Sequence, residues 1–196
     1  MKSKIHEYSK NKLKVMSKNL YFLLTLTLIL SCCNKKDDDP TLPPIAQLPP
    51  ATQTGANTAG CLVNGQVLLP KGYSQTGNLS CNYINELDFG LNFAEIINDR
   101  SKIISVVSLN TNITNNLNVD IPLTVFASNS KYGEFGILNP DFTQESYTTT
   151  ATVVGNLRIT YYSASNAIIA GTFWFDAVNS NGVKVEVREG RFDMKL

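Results

Sequence analysis

Between Ile168 and Leu196 the chain reads IIAGTFWFDAVNSNGVKVEVREGRFDMKL, a run whose two-residue alternation admits strands and little else. Successive side chains of a strand point to opposite faces. Ile169, Gly171, Phe173, Phe175 and Ala177 therefore share one face, and Ile168, Ala170, Thr172, Trp174 and Asp176 the other. The residues NSNG, from Asn179 to Gly182, tolerate positive φ and predict a tight hairpin. On the returning strand Val183, Val185 and Val187 point inward, and Lys184, Glu186 and Arg188 outward. Beyond them the apolar set becomes Phe192, Met194 and Leu196, so the parity has switched. One inserted residue explains this, and a β-bulge or kink is expected at Glu189-Gly190.

The preceding sequence is rich in Val, Ile, Thr, Tyr and Phe, with Asn and Gly clusters between short apolar runs. No segment sustains an apolar repeat of helical period, although LNFAEIIND, ending at Asp99, reads as either a helical turn or a strand. Strands are expected near Leu62–Leu69, Asn82–Asp88, Lys102–Leu109, Ile121–Ala127, Tyr147–Val154 and Leu157–Ser163, then Ile168–Val178, Val183–Arg188 and Arg191–Leu196. The predicted fold is all-β, an antiparallel sandwich or barrel spanning residues 53–196.

The front of the chain is of another kind. LYFLLTLTLIL, Leu20 to Leu30, is 11 residues long, too short to cross a bilayer as a helix and of the length of a signal-peptide core. Lysines precede it, and the small Ser31 precedes Cys32. This order resembles a bacterial lipoprotein signal with ILSC as its lipobox. The resemblance implies that residues 1–31 are removed, that the Cys32 thiol carries a diacylglyceryl group, and that the new amino terminus is acylated. Cys33 is the alternative lipid site, with a cysteine where a small residue is expected before it; a plain secretory signal without lipid is the remaining reading. Each buried methylene contributes about 0.8 kcal/mol, so several chains on one residue make a durable membrane anchor. Met16 begins a segment of ordinary signal length and is the expected start of translation.

After the cysteines, NKKDDD resembles the surface-export signal of Bacteroidota lipoproteins, which implies an outer-membrane protein facing outward. A solvated tail on a periplasm-facing protein is the alternative. PTLPPIAQLPP, Pro40 to Pro50, is then expected to be an extended, semi-rigid spacer, because proline locks φ and removes the amide donor. Residues 32–52 are thus an acidic, then proline-rich tether. The segments LPPATQTGANTAGCLVNGQVLLPKG (Leu48 to Gly72) and GTFWFDAVNSNGVKVEVREGRFDMKL (Gly171 to Leu196) resemble the two ends of a domain-of-unknown-function family of small Bacteroidota lipoproteins. That family carries no established active site and implies no functional residues.

Composition narrows the chemistry. The chain has 17 basic and 16 acidic residues; without the six lysines and Glu7 of residues 1–31 these become 11 and 15, a formal charge of −4. A mildly acidic chain with no basic stripe offers nucleic acid no electrostatic footprint. The single histidine is His6, within the removed segment. This excludes Ser-His-Asp and Cys-His nucleophile systems and histidine-bearing zinc sites from the mature domain. GYSQTG at Gly72 is one residue too long for a nucleophile elbow, and no phosphate-cradling glycine motif is present. No catalytic residue, metal or cofactor is therefore expected.

Cys61 and Cys81 are expected to form a disulfide in an exported domain, adding about 3 kcal/mol in the chain-entropy model, with two buried thiols as the alternative. Glu86 and Asp88, two apart, would share a strand face and are the one carboxylate pair a glycan hydrolase would use. NPDFTQE, Asn139 to Glu145, matches no calcium-loop spacing. Trp174 and Tyr162 each lie opposite the apolar face of their own strand; on an open outer face they would stack on a sugar or meet a protein, and on a covered face they are core. The functional expectation is a lipid-anchored, non-catalytic module binding an envelope protein or glycan. A structural accessory subunit of an envelope complex and a carboxylate-dependent glycan hydrolase are the alternatives.

Overall fold

A computed structural model describes residues 42–127 and 130–196. The signal segment, Cys32 and the acidic run lie outside the described residues. Pairs of left-handed residues cut the chain into hairpins. Asn64 and Gly65 (φ 49° and 78°), Asn85 and Glu86 (52° and 58°), and Asn98 and Asp99 (50° and 59°) each join two strands. Positive φ at both central positions matches the right-handed twist of the flanking strands.

The resulting strands are β1 (Thr58–Val63), β2 (Gln66–Leu68), β3 (Leu79–Ile84), β4 (Asp88–Ile97), β5 (Arg100–Ser108) and β6 (Asp120–Leu123). After them come β7 (Lys131–Leu138), β8 (Gln144–Thr148), β9 (Gly155–Ser163), β10 (Ile168–Val178) and β11 (Lys184–Lys195). Two one-turn 3-10 segments, Pro44–Gln47 and Thr114–Asn116, are the only helical pieces among the described residues. LNFAEIIND is strand and turn, and the single strand expected over Leu62–Leu69 is a hairpin broken at Asn64-Gly65.

All eleven strands belong to one antiparallel sheet with the order β2-β1-β11-β10-β8-β7-β5-β4-β3; β9 pairs with β10, and β6 with β9. The sheet curls back on itself. Just past β2, the Lys71 amide donates to the Ala94 carbonyl of β4 (3.1 Å), and the Ile96 amide donates to the Lys71 carbonyl (2.9 Å). Past β6, the Thr124 amide donates to the Lys131 carbonyl at the start of β7 (2.8 Å).

The interior is filled by aromatic side chains from both halves. Phe89 meets Phe192 (ring centroids 5.5 Å apart), and Phe93 and Phe175 each lie 6.4 Å from Phe173. On β10 the inward face is Ile169, Gly171, Phe173, Phe175 and Ala177, all buried, as alternation requires. On β11 Val185 and Val187 are buried, while Val183 belongs to the turn and is exposed.

A bulge is present one residue earlier than expected, at Arg188-Glu189. Phe173 pairs with Gly190 but Phe175 with Val187, so Arg188 and Glu189 together stand against Trp174, with Glu189 at φ 55°. A Cβ at Gly190 would lie 2.5 Å from the Phe173 ring, which leaves glycine as the fitting residue. The bulge restores the inward direction to Phe192 and Met194.

Candidate functional site

Trp174 points outward from the middle of β10 and keeps 39% of its surface exposed. Bulging at Arg188-Glu189 brings the Arg188 guanidinium over the indole, with Cζ 5.5 Å from the ring centroid. Such a cation over an aromatic face contributes about 0.5–1 kcal/mol at an exposed site. Three acceptors fix the guanidinium in place. Nη1 donates to the carbonyls of Val187 (2.9 Å) and Phe175 (3.2 Å), and Nη2 to Asp176 Oδ1 (2.6 Å).

Asp176 takes a second cation at its other oxygen, Lys184 Nζ at 2.6 Å, and Lys184 also reaches Glu186 Oε1 at 3.4 Å. Burial pushes the Asp176 carboxyl upward, but the hydrogen bonds and charges of Lys184 and Arg188 outweigh it and hold it below the usual carboxylate range. Flanking Thr172 on either side of β10 are Arg158 and Arg191, paired with Asp120 (2.7 Å) and Glu189 (3.2 Å). The outer face is thus a sheet of matched ion pairs around one exposed indole. It offers an aromatic surface for stacking and fixed groups for hydrogen bonding.

Tyr162 does not share this face. Ala170 pairs with Tyr161 but Gly171 with Ile159, so Thr160 is an extra residue and the alternation of β9 reverses after it. Tyr162 consequently stands opposite the inward Ile169, packs against the core, and meets Tyr83 edge-on at 5.1 Å. The expectation of an outward Tyr162 is corrected: Tyr161 is the residue turned out.

Cys61 and Cys81 are both thiols, not the expected bridge. No ladder joins β1 to β3; Cys61 stands opposite Leu68 and Cys81 opposite Leu91. Burial raises both thiols, Cys81 to about 12, so neither is a ready nucleophile. Glu86 and Asp88 are not a strand pair either. Glu86 lies in the β3–β4 turn, and Asp88 Oδ1 accepts the Asn110 amide at 3.0 Å, a structural task. In NPDFTQE, Asp141 Oδ1 accepts the amide and hydroxyl of Thr143, closing the β7–β8 turn. Among the described residues no three His, Cys, Asp or Glu side chains gather as a metal-ligand set.

Two polar features escaped the sequence reading. Glu95 continues the inward row Phe89, Leu91, Phe93, and its carboxylate is buried between Lys71 Nζ (2.8 Å) and Lys102 Nζ (3.5 Å). Lys102 also borders a cleft of about 330 Å³ walled by Leu68, Phe135, Ile137, Tyr147 and Val185. An acid in an otherwise apolar alternating row is the signal that could have found it. The second feature is Asp193, whose oxygens accept from Thr52 Oγ1 (2.6 Å), the Thr54 amide (2.9 Å) and hydroxyl (3.1 Å), and the Gly55 amide (2.7 Å). Just upstream, Leu48 is buried, and it approaches Gly60 together with Pro49.

Comparison of the chain with family models, with curated proteins and with solved structures gives no match in any of the three.

Proposed function

We propose that the protein is a lipid-anchored envelope module whose β domain binds a glycan or protein partner without catalysis, through the outer face centred on Trp174. The observation that carries this reading is an exposed indole braced by an arginine that is itself held by three acceptors. An aromatic side chain ordered before binding loses little entropy on contact, and for that reason such residues dominate binding energy. Matched ion pairs around it leave hydrogen-bonding groups in fixed positions without a surplus charge to select an ion.

The experiment is a glycan array, followed by titration of the bound glycan, with the wild-type chain and Trp174→Ala. A central aromatic contact is worth about 2 kcal/mol or more, so affinity should fall roughly 30-fold. Undiminished binding by the variant would remove this face from consideration, and an array with no binder would leave the protein arm, tested by cross-linking from position 174.

Anchoring is tested separately. Cells grown on a labelled fatty acid should yield labelled protein in the membrane fraction, and Cys32→Ser should abolish both label and retention. A labelled Cys32→Ser protein would move the lipid to another residue.

A further inference from the structure

The strand β3 stands at one end of the sheet, and among the described residues it pairs with β4 alone. Its open side can be deduced. Asn78 pairs in line with Ala94 through an amide-to-carbonyl bond of 2.8 Å, and in an antiparallel ladder bonded pairs alternate with non-bonded ones. Ser80, Asn82 and Ile84 therefore spend their backbone groups on β4. Leu79, Cys81 and Tyr83 direct theirs away from the sheet.

Exposed edges pair with other strands unless something blunts them: brevity, proline, charge or a bulge. Two other edges of this sheet are blunted in that way. β2 is three residues long and is followed by Pro70 and by the bonds of Lys71 to β4. β6 carries Pro122 and hands over to β7 at Thr124. β3 has none of these devices: LSCNYI lacks charge and proline, and its register against β4 is unbroken over six residues.

We infer that β3 is the contact strand of a homodimer, in which two copies pair antiparallel about a twofold axis passing beside Cys81. The strand's own sequence selects a second copy as occupant. With Cys81 opposite Cys81 of the second copy, Leu79 falls opposite Tyr83 and Ser80 opposite Asn82, so apolar meets apolar on the inner face and polar meets polar on the outer. Every outward amide and carbonyl of Leu79, Cys81 and Tyr83 then finds its partner in one isologous ladder. No charge lies on the strand to repel its twin. The inner row is also incompletely covered: Leu79, Cys81 and Tyr83 pack against the core but are only partly buried, and a neighbouring strand completes their burial. This interface uses none of the residues of the Trp174 face.

The test compares the full chain, in detergent and with reductant, with the double variant Ser80→Lys/Asn82→Lys. The substitutions lie on the outer face, leave the β3–β4 ladder intact, and place two lysines opposite each other on each side of the axis. Sedimentation equilibrium should give a two-chain protein mass for wild type at high concentration and a single chain for the variant. Residue-resolved hydrogen exchange should show the Leu79, Cys81 and Tyr83 amides slowing at least 10-fold as wild-type concentration rises, while Ser80 and Asn82 stay unchanged. A wild-type chain that remains monomeric with fast exchange at these three amides overturns the inference. So does a double variant that dimerises as well as wild type, or protection of the three amides at constant single-chain mass, which would mean that another part of the same chain covers the edge.

Discussion

Phe175→Ala is expected to lower the free energy of unfolding by about 3–5 kcal/mol, as large-to-small aromatic changes in cores do. Phe175 is 0% exposed and sits in a slot made by two glycines on other strands. A Cβ at Gly133 on β7 would lie 2.5 Å from its ring, and one at Gly155 on β9 would lie 2.3 Å from its own Cβ. On these two sides the slot has no side chains to move in when the ring is removed. The walls at Gly133 and Gly155 are backbone, held by the β5–β7 and β9–β10 ladders. The vacated space therefore persists, and the cavity cost adds to the lost burial. Chemical denaturation should show a lower midpoint at unchanged slope; a loss below about 1 kcal/mol would mean that the strands close over the gap. Against a typical domain stability of about 5–15 kcal/mol, the expected loss is a large fraction of the whole.

The second large effect is expected at Asp193. Its carboxylate, 1% exposed, is the acceptor for two backbone amides and two hydroxyls of Thr52, Thr54 and Gly55. Asp193→Ala strands the two amides, each at a cost of about 1–3 kcal/mol, so a total of about 2–4 kcal/mol is expected after water reaches part of the site. Asp193→Asn should recover part of this, because one oxygen remains while the amide group faces a donor.

The acid limb of stability should change as well. Burial works to raise the Asp193 carboxyl, but its hydrogen bonds prevail and hold it below the usual range. A depressed folded value means that the contribution is complete above the unfolded value, about 3.9, and is lost as pH falls through the folded one. Denaturation midpoints measured from pH 7 down to pH 2 should fall more steeply for wild type than for Asp193→Ala. Parallel curves would show that the carboxylate is not the titrating clamp.

How far the sequence disclosed this structure depends on where two-residue alternation met a turn marker. The β10–β11 hairpin satisfied both conditions, and even its bulge could be read, because Phe192 and Met194 broke parity beside a glycine. The bulge at Thr160 could not, since no Gly or Pro marks it, and Tyr162 was assigned to the wrong face in consequence. CLVNGQVLL hid a turn because apolar residues flank Asn64-Gly65 on both sides. In LNFAEIIND the outward Ala94 and Ile96 blur the alternation, so helix and strand stayed balanced until β3 and β5 were seen on either side. KYGEFGIL was missed as β7, because its two glycines resemble a loop; Gly133 is there to admit Phe175. At the candidate site Trp174 was visible as an outward aromatic, but its bracing by Arg188 depends on where the bulge turns the chain, which only the folded geometry specifies.

The clamp at Asp193 has a mechanical corollary. β1 follows directly on the clamped segment and lies between β2 and β11, with Thr58 paired to Asp193 itself. A pull arriving from the amino-terminal side meets buried Leu48 and then the carboxylate, whose four hydrogen bonds stand ahead of the first residue of β1. Force applied through the leading segment is thereby borne by the clamp before it reaches the end of a strand.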